Sequence, residues 1–218
     1  MSAFESILKE IEPYKAQLVA VSKLKMLKDI EVLYDMGQRN FGENYVQEFL
    51  KKESEANLTD LQWHFIGHLQ RNKVRSIVGK PSLVHSVDSF RLLQEINKES
   101  ERAGLVSRVL LQVHVATEET KSGFEPNELL NSLNNEFGQS ALPFVKICGL
   151  MAMASNTEDE VLIRSEFRRV KSLFDEVKTS YLPEIETLSM GMSSDYKLAL
   201  DEGSTMLRIG SLLFGNRA

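Results

Sequence analysis

Short apolar runs alternate along the chain with longer stretches in which apolar residues recur every three or four positions. Leu18, Val19, Ala20 and Val21 make the first run, brief enough for a strand buried on both faces. The same pattern predicts strands over Leu18–Ser22, Asn40–Gly42, Trp63–Gly67, Leu83–Val87, Val109–Val115, Lys146–Ala152, Glu186–Met190 and Met206–Gly210. Between them the period lengthens. From Glu158 to Thr179, the residues Ile163, Phe167, Val170, Leu173, Phe174 and Val177 keep helical spacing, after an acidic first turn in "TEDE". A second helix runs from Phe90 to Ala103, opened by the capping signal "SVDS" and closed by Gly104. Phe4, Ile7, Leu8 and Ile11 predict an N-terminal helix.

Strands that each lead into a helix or helical turn, eight in all, match the count of a (β/α)₈ barrel, and 218 residues suit a compact one. An open doubly wound sheet is the alternative, disfavoured because no G-x-G-x-x-G follows the first strand. We expect one α/β domain over residues 1–218. In a barrel the chemistry lies at the C-terminal strand ends. There the chain places Lys23, then "GEN", "GH", "SVD" and "MGMSS".

Composition narrows the setting. A net charge of −5 argues against a nucleic-acid surface. No apolar run approaches the roughly 20 residues of a membrane span, and the N-terminus lacks the basic start and apolar centre of a signal peptide. The single cysteine, Cys148, excludes an intrachain disulfide and fits a small core residue in a reducing cytoplasm.

Lys23 is the first candidate for chemistry. An ammonium at the mouth of an apolar strand either snorkels to water, pairs with a partner or reacts. In the last third, Gly191 precedes Ser193, Ser194 and Asp195 at a helix start, and Gly210–Ser211 forms a second small-residue turn. Loops after strands seven and eight of barrels often aim N–H donors at one phosphate. Arg208 lies inside strand eight, which barrel closure makes the neighbour of strand one. Like charge and desolvation beside Arg208 would favour the neutral amine of Lys23, a nucleophile for a carbonyl. Lysine, arginine and phosphate cradle together suggest a phosphorylated aldehyde. Pyridoxal 5′-phosphate fits, and so does a phosphosugar in an aldolase-like enzyme, for which Glu43 and Asp88 are the available acids.

Other signals are weaker. His64 and His68 stand four apart, but "WHFIG" reads as a strand with no third ligand near, so no metal is expected. His114 is expected on a strand face. Arg71, Lys73 and Arg75 read as a solvated basic helix start.

The motifs "AVSKLK", "FGENYVQE", "WHFIGHLQRNK", "HSVDS", "KSGF", "GLMAM" and "LSMGMSSDYKLALDEGSTMLRIGSLLFGNR" occur in that order between Leu18 and Arg217. In them the chain resembles the pyridoxal phosphate homeostasis family, single-barrel relatives of alanine racemase with the fold-type III pyridoxal phosphate (PLP) scaffold. The resemblance implies that Lys23 carries the cofactor as a Schiff base, that Ser194, Gly210 and Ser211 hold its phosphate, and that Arg208 faces the pyridine nitrogen. It places Asn44 and His85 along the cofactor pocket. The methionines Met151, Met153, Met190 and Met192 cluster at the ends of strands six and seven, where Met192 is expected to line one side of a flat ring. Met26 departs from the family, which usually has proline at that first helical position. Tyr45 is expected to point into helix packing.

An arginine opposite the pyridine nitrogen disfavours its proton and so stabilises carbanions poorly. No second domain is expected after the barrel. The resemblance therefore implies PLP buffering and delivery to apoenzyme acceptors by a monomer, with little or no catalysis. A PLP-dependent racemase-like enzyme is the alternative.

Overall fold

The computed structural model describes residues 2–117, 122–137 and 142–215. Lys121 of "KSGF" and Asn216–Arg217 of the last motif lie outside them. Eight parallel strands, paired in chain order, close into a barrel: β1 (Gln17–Val21), β2 (Asn40–Glu43), β3 (Gln62–Phe65), β4 (Leu83–Val87), β5 (Ser107–Val113), β6 (Val145–Ala152), β7 (Thr187–Ser189) and β8 (Met206–Ile209). Closure is made by β1 on β8, with Val19 opposite Arg208.

Alternation along each strand divides the side chains into two layers. Leu18 and Ala20 face outward and join the large core between sheet and helices. Val19, Leu83, Leu110, Cys148, Met151 and Met206 form a separate cluster that fills the barrel interior. The outer layer is anchored under β2 and β3 by Phe41, Phe49, Trp63 and Phe65, whose neighbouring rings meet at 6.0–6.4 Å, tilted or edge-on.

Helices α1 (Ala3–Ile11), α2 (Leu27–Asp35), α3 (Val46–Glu55), α4 (Val74–Ile77), α5 (Phe90–Ala103), α6 (Pro126–Ser132), α7 (Glu160–Ser180), α8 (Tyr196–Asp201) and α9 (Ser211–Phe214) surround the sheet. Their ends are set by local chemistry. Ser2 and Glu5 form a capping box on α1. Ser89 caps α5, and Gly104 stops it at φ 67°. Asp159 accepts from the amides of Val161 and Leu162, so "TEDE" supplies the cap of α7 and only its last residue enters the helix.

Several expectations shift. Strand five ends at Val113, two residues early, because the chain leaves the barrel to bridge Phe124. His114 therefore lies in a loop, 2.7 Å from Glu125. Met26 is the residue before α2, with its N–H held by Asp29 Oδ2 at 2.9 Å, so the helix starts one residue later.

Candidate functional site

A cavity of about 430 Å³ opens at the C-terminal ends of the strands. Val21, Lys23 and Lys25 line it from β1, Asn44 and Ile66 from β2 and β3, and Met153 from β6. The turn after β7 contributes Met192, Ser193 and Ser194, and β8 with its turn contributes Arg208, Gly210, Ser211 and Leu212. The structure thus brings Lys23, Asn44, Met192, Ser194, Arg208, Gly210 and Ser211 to one cavity.

Lys23 sits half-buried on a tight turn that leaves β1. Ser22 N–H donates to Gly42 O at 3.0 Å, and Lys25 N–H returns to Ser22 O at 3.0 Å. Leu24 takes a left-handed backbone, φ 61°, which costs a non-glycine residue about 1–2 kcal/mol. The turn is held in that shape from below. Glu48 Oε1 accepts the Leu24 N–H at 2.6 Å, and Glu43 Oε1 accepts the Ser22 hydroxyl at 2.5 Å. Lys52 donates to Glu43, to Glu48 and to the Ser22 carbonyl at 2.7–2.8 Å, which satisfies all three ammonium protons. Burial raises the Glu43 carboxyl, against the opposing pull of Lys52 and Ser22. Its second oxygen has no hydrogen-bond partner.

Lys52 was not visible as a site residue in the sequence. It reads there as one charge on an amphipathic helix, yet it is 6% exposed. Glu43, one of the two acids available to an aldolase-like reaction, lies beneath the turn and does not line the cavity. Asp88 pairs with His68 at 3.2 Å.

The turns after β7 and β8 are clipped to each other. Gly191 adopts φ 95°, and a Cβ there would stand 2.6 Å from that of Ala199, so glycine is required twice over. The Gly191 carbonyl accepts from Arg208 N at 3.1 Å, and Gly210 N donates to Ser193 Oγ at 3.3 Å. Asp195 Oδ1 fixes the Met192 amide at 2.6 Å. At Gly210 a Cβ would meet the Val21 carbonyl at 3.2 Å, which keeps that wall of the cavity thin. Gly67 serves Asn44 in the same way, since a Cβ would fall 1.9 Å from the Asn44 carbonyl.

Arg208 points inward because Leu207 and Ile209 on either side face the outer core. Its Nη1 donates to the Ser189 carbonyl and hydroxyl at 2.9 and 2.7 Å, and its Nη2 to the Ala152 carbonyl at 3.0 Å. Burial brings its pKa down to about 10, opposed by Asp195. The guanidinium is therefore charged at neutral pH and fixed in place.

The structure places His85 differently from the other expected pocket residues. It is fully buried below the cavity and does not line it; its ring lies 3.3 Å from Ser189 Oγ and 2.9 Å from His64. Alternation along β4 aims it into the barrel, one layer beneath the mouth. Met151 and Met190 are likewise buried in the core, leaving Met153 and Met192 at the cavity. Tyr45 is 54% exposed, contrary to the expected packing, because the residue before α3 turns outward at the barrel rim. No cluster of three His, Cys, Asp or Glu side chains that could hold a metal occurs among the described residues.

The chain is similar to known proteins over nearly its whole length. The family "Alanine racemase, N-terminal domain" matches residues 4–218. A pyridoxal phosphate homeostasis protein of Aquifex aeolicus is 43% identical over 202 residues, spanning 93% of this chain and 87% of the relative. PipY of Synechococcus elongatus, solved without PLP, superposes with a TM-score of 0.91 at 36% identity, covering 98% of both chains. The same protein with PLP bound gives 0.88 at 35% identity, again covering 98% of both. On this breadth of sequence and fold, the chain belongs to the pyridoxal phosphate homeostasis family, built on the N-terminal barrel of alanine racemase.

Proposed function

We propose that this chain binds pyridoxal 5′-phosphate in the mouth of the barrel, as a Schiff base on Lys23, and takes part in PLP homeostasis by buffering the cofactor and delivering it to apoenzymes. The observation that carries this reading is the convergence of Lys23, Arg208 and the two clipped turns on one cavity. The PLP-bound relative with 98% mutual coverage supports it.

The residues present fit the group. Ser194 and Ser211 offer hydroxyls, and Gly210 keeps the wall thin enough for a phosphate to approach closely. The Lys23 amine stands at the same cavity, and Met192 and Met153 offer polarisable flanks for a flat ring. When bound, the cofactor supplies an aldehyde for the amine and an electron-withdrawing ring. Arg208 tempers that ring. A fixed cation facing the pyridine nitrogen opposes its protonation, so the site holds the cofactor with little or no turnover. We place this role in the cytoplasm, in a monomer whose barrel works as one domain over residues 1–218; no helix among the described residues is long and apolar enough to cross a membrane.

Visible absorption of purified protein, before and after borohydride and peptide mapping, tests the linkage. The wild type is expected to show a yellow band that borohydride abolishes while fixing the cofactor onto Lys23, and Lys23→Ala to lack that band. A protein that stays colourless with added PLP overturns the reading. Deuterium exchange at Cα of amino acids well above that of free PLP would replace buffering with racemase-like catalysis.

A further inference from the structure

Beneath the cavity, buried polar side chains touch in series. Arg208 Nη1 lies 2.7 Å from Ser189 Oγ, which lies 3.3 Å from His85 Nδ1. His85 Nε2 lies 2.9 Å from His64 Nδ1, and His64 Nε2 lies 3.0 Å from Asn40 Oδ1. Asn40 stands at the start of β2, at the opposite end of the barrel from the cavity. Arg208, Ser189, His85 and His64 are each no more than 4% exposed, while Asn40 is only half-buried. Polar groups are costly in so apolar an interior unless every link is filled.

Proton counting sets the direction. A guanidinium nitrogen only donates, and an amide oxygen only accepts. Burial, with Arg108 and Arg208 adding like charge, keeps both imidazoles neutral, so each carries one ring proton. With Asn40 Oδ1 as acceptor, His64 must hold its proton on Nε2 and accept at Nδ1. His85 must then donate from Nε2 and accept at Nδ1. The Ser189 hydroxyl fills that last acceptor, which leaves its lone pairs for Arg208. The arginine end is compatible with this direction, since the hydroxyl accepts from Nη1 while donating to Nδ1.

We propose that His64 and His85 are positioning residues for Arg208, links of a one-directional hydrogen-bond chain that crosses the barrel from the cavity floor to the far mouth. The chain orients the Ser189 hydroxyl so that its lone pairs, not its proton, meet the guanidinium. Arg208 is thereby held toward the cavity as a fully charged donor. Its consequence for the cofactor rests on the reading above, in which Arg208 faces the PLP ring.

The first test needs no cofactor. ¹⁵N spectra of the histidine rings in the PLP-free protein are expected to show both rings protonated at Nε2 and bare at Nδ1, unchanged between pH 6 and pH 8. Protonation of either ring at Nδ1, or titration in that range, overturns the chain whether or not PLP binds. The second test uses two variants far from the cavity. His64→Phe is expected to move the Arg208 guanidinium resonances and to weaken PLP retention about tenfold, the size of one hydrogen bond to a charged group. His64→Gln can accept from His85 and donate to Asn40, so it is expected to restore both. Equal behaviour of the two variants means that residue 64 only packs, and overturns the proposal.

Discussion

Lys52 Nζ lies 2.8 Å from both Glu43 Oε1 and the Ser22 carbonyl, so a buried ion pair is built directly under the turn that presents Lys23. The amine at the cavity is placed by another lysine that never reaches it. Glu48 completes the arrangement by accepting from Lys52 and from the strained Leu24 amide at once.

Removing Lys52 exposes what the ion pair does. Lys52→Met leaves the Glu43 carboxylate buried without compensation, a loss of about 3–5 kcal/mol. Urea unfolding monitored by circular dichroism measures it, and Lys52→Met combined with Glu43→Gln should recover part of the loss. A change within about 0.5 kcal/mol, as for an ordinary surface substitution, would show the pair to be dispensable.

Glu43 also carries a pH dependence. Its folded pKa is raised above the ordinary 4.5, mainly by burial. The folded chain therefore holds the proton more tightly than the unfolded one, and the contribution to stability is present in acid and lost as pH rises through the folded value. Glu43→Gln, which stays neutral, should gain on the wild type as pH is raised from 4 toward 7. Parallel stability curves for the two proteins would contradict this.

The histidine pair works in the opposite sense. His64 is lowered from 6.5 to about 4, and His85 lies well below its ordinary value, both chiefly by desolvation. The unfolded chain takes up protons that the native rings refuse, so stability is present above 6.5 and falls as pH drops toward 4. Each ring adds up to about 1.4 kcal/mol per pH unit in that window. His64→Gln should flatten the acid slope by up to that amount in denaturant titrations; an unchanged slope would mean that His64 is charged in the folded protein.

Gly67 connects packing to binding. A Cβ at this position falls 1.9 Å from the Asn44 carbonyl, so Gly67→Ala must push Asn44 from the cavity wall. We expect a loss of about 1–3 kcal/mol in stability from overpacking, accompanied by weaker PLP uptake in spectroscopic titration. Wild-type uptake in a stably folded variant would remove Asn44 from the binding surface.

The barrel was legible because each strand is short, apolar and followed by a helical period, signals that depend on near neighbours alone. Lys23, Arg208 and the glycine–serine turns were legible for a related reason, since a charge or a small residue at a strand end stands out against its local pattern. Lys52, by contrast, looks like any lysine on a helix. Its burial exists only because α3 folds back over the turn after β1. His85 was assigned to the cavity by motif, whereas the inward face of β4 sets it one layer deeper. The contact between His64 and His85 depends on the pairing of β3 with β4, where His64 stands opposite Leu83. Met26 and Tyr45 were misplaced by a residue or a face, because helix starts are decided by whichever cap the surrounding chain allows.

By itself, then, the sequence determined the order of elements, the closure-competent strand count and the residues able to do chemistry, all of which follow from local periodicity and side-chain type. Only the tertiary structure decided depth: which charges are buried, which polar groups meet, and which lie in the layer below the cavity. Depth depends on strand register and barrel closure, and these join residues far apart in the chain through contacts that no local pattern encodes.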